Sequence, residues 1–350
     1  MSRYVVTGAT GFLGRHVVRA LRDRGHAVIA LVRGNGADLP PEVEILRANI
    51  LDRASVERAL RKARCDGLLH CAGKVSRRAE DAEELQHINV QGTRNVLDAA
   101  IACGIRRAVV ASTSGTIAVS EDPDLVSTED DEPPIGILNR WPYYRSKLFA
   151  EKAALERNGA LLPTGELFAV ICINPTLLLG PGDVNGSSTQ DVRLFLERKI
   201  PAIPPGGMSY VDARDAAEGM CLAMDHGVSG RRYLLGACNL TVRLFFARLE
   251  RVSGVHRPWM IMPAGKRARE LAHTGTSVLE RMATRFGIDF AVDPVSLDMA
   301  HFYWYLDATR AETELGWTPR DPITTLADTV ADLRDRGVVW PDLDGSEKIA

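Results

Sequence analysis

Near its start the chain reads Thr7-Gly8-Ala9-Thr10-Gly11-Phe12-Leu13-Gly14, a glycine-punctuated turn. It joins the β-branched run Arg3-Tyr4-Val5-Val6-Thr7 to a stretch, Phe12–Arg24, with Leu13, Val17 and Leu21 on one face. Glycines at 8, 11 and 14 suit a strand that turns tightly into a helix. Gly8 permits the turn, Gly11 lets backbone approach a phosphate, and Gly14 lets the helix lie close on the strand. The helix start offers unpaired N–H groups and a partial positive charge. Gly8, Thr10, Gly11, Phe12, Leu13 and Gly14 are therefore expected to cradle a dinucleotide pyrophosphate.

Strand signals recur at Ala27–Val32, Val43–Leu46, Gly67–Cys71, Arg107–Ser112 and Phe168–Ile173. Between them lie helical stretches at Ser55–Arg64, Glu83–Cys103 and Tyr143–Arg157, with a last helix expected near Thr324–Arg336. Apolar runs alternating with helices predict an α/β fold, a Rossmann-type doubly wound parallel sheet with a smaller mixed C-terminal substrate region. The division expected is 1–178 for the nucleotide domain and 179–350 for the substrate region, the sheet taking a further strand near 208–212. The acidic, Pro-rich stretch from Glu121 to Asn139 reads as a solvated loop.

A net charge of −2 argues against nucleic acid or an anionic membrane as partner. No apolar run is long enough to span a bilayer, and the N-terminus lacks the layout of a signal peptide, so a cytoplasmic location is expected. The six cysteines are scattered, without a CxxC pair, and read as reduced, buried side chains; no metal site is expected.

The end of the second strand discriminates between cofactors. An acidic residue there would bond a ribose 2′-hydroxyl, but the chain has Val32-Arg33, and a guanidinium can pair with a 2′-phosphate. NADP(H) is thus expected over NAD(H). Tyr143 and Lys147 form YxxxK on one helical face. An ammonium beside a phenol should lower the phenol's pKa, so that Tyr143 can exchange a proton with a substrate oxygen while hydride moves at carbon. The hydroxyl cluster Ser112-Thr113-Ser114 lies at a strand's carboxyl end, where ligands bind in such sheets, and any of the three could hold a developing oxyanion.

With these motifs the chain resembles the extended short-chain dehydrogenases/reductases. The likeness runs through TGATGFLG (7–14), HCAG (70–73), NVQGTRNVL (89–97), ASTSGT (111–116), YYRSK (143–147), INPTLLLGPGD (173–183), YVDARDAAEG (210–219) and ELGWTPR (314–320). Its nearest subgroup is similar to dihydroflavonol-4-reductases and hopanoid-associated sugar epimerases, with a likeness to 3β-hydroxysteroid dehydrogenases. The resemblance implies that Tyr143 is the general acid/base, that Lys147 binds the nicotinamide ribose, and that Thr113 is the catalytic hydroxyl. It places Asn49-Ile50 at the adenine, Ala72-Gly73 at the cofactor ribose and Pro175 near the nicotinamide amide. Asn49 departs from the family's usual Asp, and Asn174 stands where many nucleotide-sugar enzymes have Arg. A homodimer through a helix bundle is a further implication of the likeness.

Substrate is expected to meet Lys74, Ser114, Thr116, Thr176, Tyr210 and Tyr303. The aromatic run His301–Tyr305 reads either as an apolar lid or as core packing. Few arginines in this set suit an uncharged ketone, aldehyde or alcohol better than a diphosphate. The leading expectation is an NADP(H)-dependent reductase or alcohol dehydrogenase with Tyr-Lys-Thr catalysis. The alternative is an NAD(P)-dependent sugar-nucleotide epimerase or dehydratase. A non-catalytic NADP-binding regulator ranks last, because such proteins usually lose the Tyr or Lys, and both are kept here.

Overall fold

The computed structural model describes residues 1–36, 38–263, 265 and 294–340. In chain order the elements are β1 (Arg3–Thr7), α1 (Phe12–Asp23), β2 (Ala27–Val32), β3 (Glu44–Arg47), α2 (Arg53–Ala63) and β4 (Gly67–His70). There follow α3 (Ala82–Leu85), a π-helical segment (Gln86–Gln91), α4 (Gly92–Ala102), β5 (Arg107–Ala111), α5 (Ile135–Leu138) and α6 (Pro142–Leu155). The second half holds β6 (Ala169–Pro175), β7 (Leu177–Leu179), α7 (Gln190–Leu196), β8 (Gly207–Asp212), α8 (Ala213–His226), β9 (Arg232–Leu235) and β10 (Cys238–Thr241). Last come α9 (Val242–Ser253), α10 (Pro294–Met299), α11 (Thr309–Leu315) and α12 (Pro322–Asp335).

Seven parallel strands form the main sheet in the order β3-β2-β1-β4-β5-β6-β9, with the reversal of strand order falling between β1 and β4. The strands read as unbroken apolar runs because both faces are covered. In β1, Tyr4 and Val6 pack with Val17, Val18 and Leu21 of α1 and with Met220 of α8, whereas Val5 packs with Leu60 of α2 and with Val96 and Leu97 of α4. Local signals set the helix ends. Asp52 caps α2 by accepting from Ser55 N–H (3.1 Å), and Pro142 occupies the first turn of α6, where its missing N–H costs nothing.

The strand expected near 208–212 forms, as β8, but it joins a separate three-stranded sheet, β10-β8-β7. The seventh strand of the main sheet is β9. Tyr210 explains the difference: fully buried, it packs on Phe245 of α9 in the core of the small sheet. The chain beyond 178 therefore also completes the nucleotide sheet, through α8 and β9.

Two smaller expectations change, and one left open is narrowed. Only Cys172 and Cys221 are buried, the other four cysteines being half-buried. The acidic loop is not wholly solvated: Glu129 is buried, and its carboxylate accepts from Leu234 N–H of β9 (2.8 Å). Of the run 301–305, left open between lid and core, Phe302 packs as core and the other four are half-buried. Tyr303 bridges Ser120 and Gly207, and Phe302 and Trp304 lie on Trp141 at 5.0 and 5.3 Å between ring centres.

Candidate active site

The cradle forms at the carboxyl end of β1. Gly8 has φ +66°, and a Cβ there would stand 2.6 Å from Ala72 N; one on Gly14 would stand 2.1 Å from Gly8 O. Gly11 N–H donates to Gly8 O (2.9 Å) and Gly11 caps α1 with no side-chain hydrogen bond, so the helix start is left to a ligand. Thr10, Phe12 and Leu13 complete this turn, Phe12 edge-on to His16 at 5.6 Å. These residues fit a dinucleotide pyrophosphate.

Arg33 is exposed at the end of β2 and makes no ion pair or side-chain hydrogen bond among the described residues. Asn49, also exposed, accepts from Leu51 N–H (3.1 Å), and Ile50 is held by Asn95, whose Nδ2 donates to its carbonyl (2.9 Å). Ala72 and Gly73 leave β4 beside the cradle, and Ala72 N–H donates to Thr7 Oγ1 (3.2 Å). Pro175 ends β6, paired with Leu235.

Two polar networks lie under the site. His70 sits between Thr7 Oγ1 (2.7 Å, at Nδ1) and Thr93 Oγ1 (3.1 Å, at Nε2). Since Thr93 spends its proton on Asn89 O (2.6 Å), His70 donates from Nε2 and accepts at Nδ1, and burial pushes its pKa down to about 3. The π-helical turn then aims Asn89 at the 73–74 turn and α6 at once. Asn89 accepts from Lys74 N–H (2.8 Å), and donates to Lys74 O (3.0 Å) and Ser146 Oγ (2.9 Å).

Lys147 lies on α6 one turn after Tyr143, and its ammonium donates to Ala111 O at the end of β5 (2.6 Å). The expected depression of the Tyr143 pKa is not found. Burial pushes the phenol up, with Tyr144 adding to it, and Lys147 is turned to the Ala111 carbonyl; burial in turn lowers Lys147. Tyr143 is therefore neutral around pH 7. Of the three hydroxyls, Ser112 donates to the buried Glu151 and Ser114 is itself buried, which leaves Thr113 as the one with accessible surface. Thr113 accepts from Gly115 N–H (3.4 Å), and its turn rests on Tyr144, whose ring would be 2.2 Å from a Cβ at Gly115.

The expected substrate residues are mostly closed off. Thr116 is fully buried and donates to Thr113 O (2.9 Å). Tyr210 is fully buried with its hydroxyl on Pro322 O (3.0 Å), so it belongs to the small sheet's core, not to a cleft. Thr176 is buried and bonds Leu235 O (3.2 Å), Tyr303 reaches Pro205 O (3.3 Å), and Lys74 is neutralised by Asp81 and Glu84. Tyr144, which the helical spacing turns about 100° away from Tyr143, and Arg77, within the stretch 74–78 expected at the cleft, come together with Asp191. Tyr144, its pKa pushed up to about 12 by burial, lies 4.9 Å from Trp304 and feels the charges of Arg77 and Asp191. Those two form a bidentate pair at 3.0 and 3.2 Å. Glu151 was legible only as the residue one further turn along the Tyr143–Lys147 face.

The model of the family described as the NAD dependent epimerase/dehydratase family matches residues 4–236. A protein of Synechocystis sp., named provisionally as a dihydroflavonol 4-reductase, is 31% identical over 343 residues, covering 96% of each chain. Sterol demethylase protein B of Methylococcus capsulatus is 30% identical over 343 residues, 96% of this chain and 99% of that one. Among solved structures, that of gox2253 aligns with TM-score 0.80 at 26% identity, covering 97% of this chain and all of the other.

Proposed function

Because the chain belongs to the NAD dependent epimerase/dehydratase family, whose members use a nicotinamide dinucleotide, we propose that it is an NADP(H)-dependent reductase of an uncharged carbonyl. The single observation that carries the reading is the neutral, half-buried Tyr143 beside Lys147, with Thr113 presented from the end of β5. When bound, the dinucleotide supplies the hydride. Tyr143 gives its phenolic proton to the carbonyl oxygen, and a phenol whose pKa burial has raised is in the right form to give it. Thr113 offers a hydroxyl to the same oxygen and so orients the carbonyl. Lys147, one turn further along the same helix and anchored on Ala111 O, would hold the nicotinamide ribose.

Arg33 supports NADP(H), being exposed where a 2′-phosphate would need a cation and, among the described residues, without an ion pair. An uncharged substrate is supported by Arg77, the cation beside Tyr144, whose guanidinium is engaged by Asp191 and Ser296. Reduction itself is supported by relatives named as reductases, such as dihydroflavonol 4-reductase of Arabidopsis thaliana, 32% identical over 50% of this chain.

The test is titration of purified protein with NADPH and NADH, then a screen of ketones and aldehydes for loss of the reduced nicotinamide's absorbance. Tighter binding of NADPH and its consumption on an uncharged carbonyl are expected. Protein that retains cofactor and consumes none, while converting a nucleotide sugar, would refute the reductase.

A further inference from the structure

The mechanism above leaves one buried ionisable group of helix α6 without a task. We propose that Glu151 is a positioning residue for this site, fixing the strand end that presents Thr113 and supplying the negative charge that keeps the buried Lys147 an ammonium. The inference rests on the reading of Tyr143, Lys147 and Thr113 given above.

Tyr143, Lys147 and Glu151 follow one another at four-residue steps, so they share a face of α6. The Glu151 side chain is 1% exposed. Its Oε2 accepts from Ser112 Oγ, from Asn174 Nδ2 (2.6 Å) and from Thr116 Oγ1 (3.2 Å), whose one proton is shared between this oxygen and Thr113 O. Two of those donors also hold Thr113, since Asn174 Nδ2 (3.1 Å) and Thr116 Oγ1 (2.9 Å) both reach its carbonyl. One carboxylate thus locks the backbone on which the presented hydroxyl hangs, and it does so through Asn174, the residue that departs from the nucleotide-sugar pattern.

The charge argument follows from burial. A carboxylate withdrawn from water is costly unless cations compensate it. Arg232 of β9 approaches Oε1 at 3.4 Å without a hydrogen bond, which leaves Glu151 under-compensated on that side. Lys147 is the other cation within its influence. Around Lys147 stand Tyr143 one turn before and Glu151 one turn after it on its own helix, with Cys172 from β6, His70 at the end of β4 and Cys71 just after it. Burial pushes both thiols and the phenol up and the imidazole down, so these four are neutral. Among the described residues Glu151 is then the one anion facing this ammonium. Burial lowers the Lys147 pKa, and Glu151 opposes that.

The experiment reads the lysine itself. The full chain, free of cofactor, is labelled with a small amine-acylating reagent across a pH series, and Lys147 modification is followed by mass spectrometry in wild type, Glu151→Gln, Glu151→Asp and Arg232→Met. Loss of the anion favours the free amine, so Glu151→Gln should move the Lys147 midpoint to lower pH. At a fixed, mildly alkaline pH its labelling should rise about tenfold, the effect of losing one close opposite charge. Glu151→Asp should recover part of the shift, and Arg232→Met should move the midpoint the other way. If folded Glu151→Gln titrates at Lys147 as wild type does, the proposal is overturned. If that variant does not fold, Arg232→Met decides: an upward shift supports the proposal and no shift ends it. None of these readings needs turnover. Failure of the carbonyl reductase would instead appear as NADPH unconsumed while Lys147 still shifts.

Discussion

Replacing Gly14 by alanine would put a methyl carbon 2.1 Å from the carbonyl oxygen of Gly8 and 2.8 Å from its carbonyl carbon. Non-bonded carbon and oxygen prefer roughly 3.5 Å, so the start of α1 must retreat from β1 by about an ångström. No rotamer change can relieve the clash, because both partners are backbone. Retreat would loosen Val17, Val18 and Leu21 against the sheet, and overpacking of this kind costs about 1–3 kcal/mol of stability. It would also strain the Gly11 N–H bond to that same Gly8 oxygen (2.9 Å), which shapes the turn offered to the pyrophosphate. NADPH affinity should therefore fall at least about tenfold, or ~1.4 kcal/mol, over and above the stability loss. Gly34→Ala is the control, since a Cβ there meets nothing within 4 Å, and it should stay within about 0.5 kcal/mol of wild type. Gly11→Ala, at 3.2 Å from Gly8 O, should fall between the two. Urea unfolding and NADPH titration of the three variants would give both quantities. Identical behaviour of Gly14→Ala and Gly34→Ala would refute the close-packed turn as the basis of cofactor binding.

Tyr143→Phe should keep NADPH binding near wild type while cutting turnover by at least about a hundredfold, because it removes only the proton-transfer group; single-turnover kinetics checks this. Arg33→Asp should invert the preference, with NADPH affinity falling and NADH affinity holding or rising, as read by paired titrations. Carbonyl reduction should be level through neutral pH and decline on the alkaline side. Burial raises the Tyr143 pKa and lowers that of Lys147, so the decline should follow loss of the Lys147 charge, and a pH series of kcat/KM should place it below the ordinary lysine range.

Much of this architecture was legible because its signals are local. β2 begins and ends at Ala27 and Val32 as expected, and β1 and α1 start or stop within a residue of their anticipated ends, since alternation and glycine spacing act over a few residues. Long-range pairing left weaker marks. Nothing near Gly207–Asp212 says which sheet it joins, because an apolar strand suits either core, and the answer lay in packing on α9. The substrate residues fared worst for the same reason. Thr116 and Tyr210 carry plausible chemistry, yet exposure is set by what covers a residue, and here Thr113 O with Glu151 claims the one hydroxyl and Pro322 the other. The phenol's shift also escaped sequence reasoning, because YxxxK spacing gives proximity along a helix but not the direction of an ammonium, which here goes to Ala111. Glu129 shows the converse: one member of an acidic run is withdrawn to serve a strand end.

That α8 and β9 return to the first sheet bears on how the chain comes together as it is made. The apolar face of α1 packs against α8, and Arg24 at its end pairs with Glu218. Until Ala213–His226 has left the ribosome, α1 lacks its neighbour α8, and β6 remains an open edge until β9 (Arg232–Leu235) follows. A nascent chain stopped before that point would expose sticky surface of the kind chaperones hold. Cutting at 178 would not release a stable nucleotide-binding half, and unfolding of the sheet should draw in residues from both ends of the sequence in one transition.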